Sequence, residues 1–206
     1  MKYLKLFESY TESDIARICK KYGIKNWSIN SEGLLDVDGD VILSYKHLTK
    51  LPLYFGHVSG YFNCAGNKLT SLEGCPQSVG GKFNCPYNKL TSLEGGPQEV
   101  GGGFFCYDNQ LTSLQGAPKS VSGDFWCQYN QLTSLRFAPE EVEGQTHVLP
   151  NPISDIPKKY LTNEYLQFIV KEQYDWNLYR KDGSMRLDRL EQMIEWGIET
   201  NKIKPL

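Results

Sequence analysis

The sequence lacks an excess of charge of either sign: 22 lysines and arginines stand against 24 aspartates and glutamates in 206 residues, a net charge of −2. No basic stripe accompanies any part of the chain, which argues against a nucleic-acid partner. Histidine is scarce. His47, His57 and His147 lie far apart without a neighbouring nucleophile or carboxylate pair; no catalytic constellation is visible, and the chain is expected not to be an enzyme. No motif requires a cofactor or a metal. Long apolar runs are missing, so no membrane span is expected, and the N-terminus does not read as a secretory signal peptide. The six cysteines are spread too regularly for a tetrahedral zinc set or a disulfide framework. They read as core thiols of a reducing compartment, hence of the cytoplasm.

What the chain does have is repetition. FNCAGNKLTSL (62 to 72), FNCPYNKLTSL (83 to 93), FFCYDNQLTSL (104 to 114) and FWCQYNQLTSL (125 to 135) follow one another in steps of 21 residues. VILSYKHLTKL (41 to 51) precedes them by one step and THVLPNPISDI (146 to 156) follows by one, giving six registers. Such an array is the mark of a solenoid, in which each unit buries its apolar face only by stacking on its neighbours.

The alternation V-x-G-x-F-x-C predicts one short strand per unit with its odd members inward. Phe62, Phe83, Phe104 and Phe125 then form one inward column, Cys64, Cys85, Cys106 and Cys127 a second, and Leu69, Leu90, Leu111 and Leu132 a third. Asn67, Asn88, Asn109, Asn130 and Asn151 recur where the chain leaves the strand, a place where a side-chain amide can satisfy freed backbone groups. Cys75 occupies a slot filled elsewhere by Gly96, Ala117 and Ala138.

The pattern F-x-C-x-x-N-x-L resembles the leucine-rich-repeat signature, with Phe and Cys in the two strand leucine positions. N-x-L-T-S-L followed by proline resembles the short bacterial or phage class of that family. The resemblance implies an α+β repeat solenoid with a parallel β-sheet on the concave side and an extended convex side. It spans roughly residues 35 to 157. Bacterial effectors with similar repeats often carry a cysteine-dependent ubiquitin-ligase domain, but here no cysteine follows Cys127.

Helical caps are expected at both ends, because an exposed solenoid end must be covered. Residues 1–26 form the first cap, with a Thr11 to Asp14 capping-box pattern, Ile15, Ile18 and Cys19 on one face and a stop at Gly23. Residues 27–157 form the solenoid and residues 158–206 a two-helix cap, with TNEYLQFIVKEQY (162 to 174) and RLDRLEQMIEWGIE (186 to 199) joined through DGS (182 to 184). MKYLKLFESYTE (1 to 12) resembles the leader that targets internal proteins of T-even-like phages to the prohead, with Leu6, Phe7 and Glu8 matching the L-x-E cleavage pattern. That resemblance implies a phage source, with the protein in a host cytoplasm or a virion interior. The bottom-up alternative, in which Leu4, Leu6 and Phe7 pack the first cap, is preferred. DVDGD (36 to 40) spaces its aspartates like a calcium loop, but its glycine is misplaced and His47 stands where the bidentate glutamate belongs; an outward acidic edge on the first strand is the expectation.

The residues between the inward columns face outward, and there the repeat is broken. Asn63 and Asn84 hold one slot in two units; the next three put Phe105, Trp126 and His147 there, with Tyr107 two residues beyond Phe105 and Gly103 leaving room beside it. Contiguous exposed aromatics mark interaction surfaces, and rigid aromatics make interface hot spots. A protein partner, of host or phage origin, is therefore expected on a face around Phe105, Tyr107 and Trp126, fringed by Tyr61, Lys82, Asp124 and His147. A carbohydrate is the alternative ligand, since aromatic platforms flanked by polar side chains also suit sugar rings. A packaged structural virion protein is a third reading.

Overall fold

The computed structural model describes residues 10–205, so the leader-like stretch through Glu8 lies outside the described residues. It shows a parallel β-solenoid. Strands Val41–Ile42, Phe62–Asn63, Phe83–Asn84, Phe104–Phe105, Phe125–Trp126 and Thr146–His147 form one six-stranded sheet, parallel throughout and in 21-residue register. Five turns of 21 residues link them, and we number the coils one to six by these strands.

A second sheet corrects the expectation of one strand per unit. Val79, Val100, Val121 and Val142 end the last four of seven further strands, Trp27–Ile29, Leu35–Val37, Phe55–Val58, Ser78–Val79, Glu99–Val100, Ser120–Val121 and Glu141–Val142, which pair in that order. Only the first pair is antiparallel. The chain bends between the two sheets at a glycine column, Gly39, Gly60, Gly81, Gly102, Gly123 and Gly144, so V-x-G-x-F-x-C is two strands and a corner. The column is glycine because the coils touch there: a Cβ at Gly81 would sit 2.9 Å from the Gly60 backbone. Gly81 instead donates its N–H to the Gly60 carbonyl at 2.8 Å, and Gly102 repeats the bond to Gly81 at 3.0 Å.

The inward columns are as expected. The four phenylalanines, the four cysteines 21 residues apart and the four leucines are fully buried, and the phenyl rings stack with centroids 5.7, 5.1 and 6.0 Å apart. Each buried ring contributes roughly 1.5–3 kcal/mol as an upper bound. Every ladder asparagine spends its whole amide on backbone. Asn109 donates to the Cys85, Cys106 and Tyr107 carbonyls at 3.0, 3.1 and 3.3 Å and accepts from the Leu90 N–H at 3.0 Å. One side chain thus ties two coils together. No helix forms on the far side of coils two to five, where turns and extended segments complete each unit.

Helices close both ends. α1 (Glu12–Tyr22) starts with the Thr11–Asp14 capping box and stops at left-handed Gly23, burying Ile15 and Cys19. α2 (Asn163–Glu172), capped by Thr162, and α3 (Leu187–Glu199) bury Leu166, Ile169, Leu190 and Met193 against the last coil and each other. None of the described helices is long and apolar enough to cross a membrane.

Candidate binding face

Neighbouring residues of one strand point to opposite sides of the sheet, which separates Phe104, fully buried, from half-buried Phe105. Phe105 pairs with Trp126, and Trp126 with His147, in the strand register. Their rings meet edge to face, with centroids 5.2 Å apart for Phe105 and Trp126 and 4.9 Å for Trp126 and His147. Tyr107 adds a tilted contact to Trp126 at 6.1 Å. Trp126 is therefore the hub of the four aromatic side chains that the sequence singled out. Such pairs contribute about 0.5–1.5 kcal/mol each beyond burial.

Gly103 has a visible role. The Phe105 ring folds back over it, into space that a Cβ would fill at 2.6 Å. The same slot in other coils carries Tyr61, Lys82, Asp124 and Gln145. Lys82 is exposed and reaches over the Phe105 ring, its Nζ 6.0 Å from the centroid. Asp124 is committed to the fold, accepting the Gln145 N–H at 2.9 Å, as Asp40 accepts that of Tyr61. Tyr61 stands two coils away from Phe105, outside the ring cluster. The other aspartates of the DVDGD segment also serve the next coil: Asp36 accepts the His57 N–H and Asp38 the Ser59 hydroxyl, each at 2.8 Å. Among the described residues no group of three or more His, Cys, Asp or Glu side chains is arranged to hold a metal.

The structure adds residues that the sequence reading missed. Tyr87 packs edge to face on Tyr107, with centroids 5.4 Å apart, and Tyr45, Tyr87 and Tyr129 are the most exposed aromatics of the solenoid. All three have φ of 55°. The signal was present in the register: one slot reads Tyr45, Gly66, Tyr87, Asp108 and Tyr129 at 21-residue steps, and Gly and Asp are the residues that tolerate a left-handed backbone. The aromatic side thus extends from the fourth coil back to the third. Burial, then the neighbouring Tyr87 hydroxyl, raises the Tyr107 phenol above its ordinary value, with smaller effects from Asp108 and Tyr45.

Two polar atoms in this cluster are buried without a hydrogen-bond partner among the described residues, the Trp126 Nε1–H and the Gln128 Oε1. A buried unsatisfied group costs about 1–3 kcal/mol. Comparison with known family models, with curated proteins and with solved structures found no match to this chain.

Proposed function

We propose that the protein is a non-enzymatic interaction module, a solenoid of leucine-rich-repeat type that grips a protein partner on the aromatic side of its six-stranded sheet. The observation that carries this reading is the contrast within one slot. Asn63 and Asn84 occupy it in coils two and three; Phe105, Trp126 and His147 occupy it in coils four to six and join, with Tyr107 and Tyr87, into one connected set of rings. Cross-strand stability alone does not require them, since two coils of the same array do without. Six unpaired, buried thiols fit a reducing cytoplasm.

A carbohydrate ligand is the second reading, favoured by the phenols of Tyr87 and Tyr107 and the amide of Asn84, which pairs with Phe105. The packaged-virion reading rests on residues 1 to 8, and N-terminal sequencing of the protein from particles tests it: an intact Met1 removes it. For the main reading, the wild type and the Phe105→Asn, Trp126→Asn double variant are immobilised in parallel and exposed to lysate of the source cells and to a glycan array. A protein retained by the wild type and lost from the variant supports it. Retention that is equal on both, or restricted to glycans, sinks it.

A further inference from the structure

The fifth coil departs from the repeat at a second place, on the side away from the aromatic face. Glu73, Glu94 and Gln115 hold one slot in coils two to four, and Gly74, Gly95 and Gly116 hold the next with φ of 87°, 85° and 85°. Coil five puts Arg136 and Phe137 there. The backbone stays left-handed, φ 67° at Phe137, a conformation that a bulky residue adopts only under strain. Packing does not explain the phenylalanine, because it remains 41% exposed. Its open face lines a cleft of about 290 Å³ between the last full coil and the C-terminal cap.

We infer that this cleft is a binding site for a small ligand that carries an anionic group on a planar, aromatic body. Arg136, Arg180 and Lys181 supply the charge, and Phe137, Tyr174 and Tyr179 the apolar walls. The Arg136 guanidinium lies 4.5 Å from the Phe137 ring centroid, with its Nη1 beside Gly183; such a planar fork recognises phosphate or carboxylate in two parallel bonds. No carboxylate of the described residues lies within 4.0 Å of Arg136, Arg180 or Lys181. Arg180 uses one nitrogen on the Ser184 hydroxyl and the Met185 carbonyl, and its remaining donors stay available. Asp182 offsets part of this charge: Ser184 hydrogen bonds, then Arg180 and Arg136, hold its carboxyl below the ordinary value. Glu140 also acts on Tyr174 from nearby, so two carboxylates stand against three cations and the cleft stays positive. The last carbonyls of α2 do not repel an anion there, because Glu172, Gln173 and Tyr174 already accept the N–H groups of Trp176, Leu178 and Asn177. Asp155, near Tyr179, is pushed by burial toward its neutral form.

The repeat itself supplies the test variants. Arg136→Gln and Phe137→Gly restore residues that neighbouring coils already use, so the fold is retained; exposed Lys181→Gln alters no packed position. Titration calorimetry with phenyl phosphate, benzoate and inorganic phosphate reads the site. Saturable binding of phenyl phosphate or benzoate by the wild type is expected, weakened roughly tenfold to a hundredfold in Arg136→Gln and less in Lys181→Gln. Phe137→Gly is expected to remove the advantage of phenyl phosphate over inorganic phosphate. The stronger of phenyl phosphate and benzoate tells a phosphate site from a carboxylate site. Absence of saturable binding to the wild type, or equal affinity in all three variants, overturns the inference.

Discussion

Between Phe62 and Leu93, two coils present Phe, Cys, Asn and Leu inward and Asn63 and Asn84 outward. Between Phe104 and Leu135 the next two present the same inward set but Phe105 and Trp126 outward. The inward slots cannot vary independently, because each ring and thiol packs on its copy 21 residues away, and close-packed interiors feel even a methylene. Outward slots have no such constraint. A change there, repeated on three successive strands and joined by ring contacts, therefore says more about use than any conserved interior position. The far side teaches the same lesson at Arg136 and Phe137.

This comparison breaks if inward and outward residues behave alike. The largest effect is expected from Phe104→Ser, which empties a stacked column and buries a hydroxyl: about 3–5 kcal/mol of stability lost, read by chemical denaturation. An unchanged midpoint would mean that the column is not the core. Next, Asn109→Ala leaves backbone groups of two coils unsatisfied and is expected to cost about 3 kcal/mol, whereas Asn84→Ala on the outward side of the adjacent coil costs within about 0.5 kcal/mol. Equal losses would dissolve the distinction between the two kinds of asparagine.

The thiol column sharpens the comparison through pH. Burial raises the Cys85 and Cys106 thiols well above their ordinary value and pushes Cys127 up to about 12. The folded value exceeds the unfolded one of about 8.5, so this stability is full below pH 8.5 and is lost as pH climbs toward 12. From Cys127 alone the loss at pH 10 is about 2 kcal/mol. Denaturation midpoints at pH 8 and pH 10 check this, with Cys127→Ala as control; the pH-dependent loss should shrink in that variant. The smallest effect belongs to the outward pair: Phe105→Asn with Trp126→Asn is expected to change stability by no more than about 1 kcal/mol of cross-strand pairing, while weakening a partner by about 2 kcal/mol for each hot-spot ring removed. A melt lowered as far as by Phe104→Ser would make Phe105 a core residue.

Much of this was legible in residues 41 to 156, because a fixed 21-residue step forces equivalent residues into stacked columns whatever the detailed path of the chain. The columns, the asparagine ladder, the capping box at Thr11 and the row Phe105, Trp126, His147 all follow from that step and from local chemistry. Alternation failed at V-x-G-x-F-x-C: the period of two is the same whether the segment runs straight or turns a corner at the glycine. Tyr87 was missed because its side chain faces the rings only through a left-handed backbone, and strand alternation does not describe such a residue.

The sequence by itself determined the repeat, its inward columns and the outward row where coils four to six depart from their predecessors, since each is a comparison of the chain with itself. Only the tertiary structure decided that each coil turns a corner between two sheets, that Trp126 is the hub of its ring cluster, and that Arg136 and Phe137 face Tyr174, Tyr179, Arg180 and Lys181 across a cleft. The last of these joins segments about 40 residues apart. Their meeting depends on how the C-terminal helices dock on the last coil, a packing outcome for which the 21-residue period carries no information.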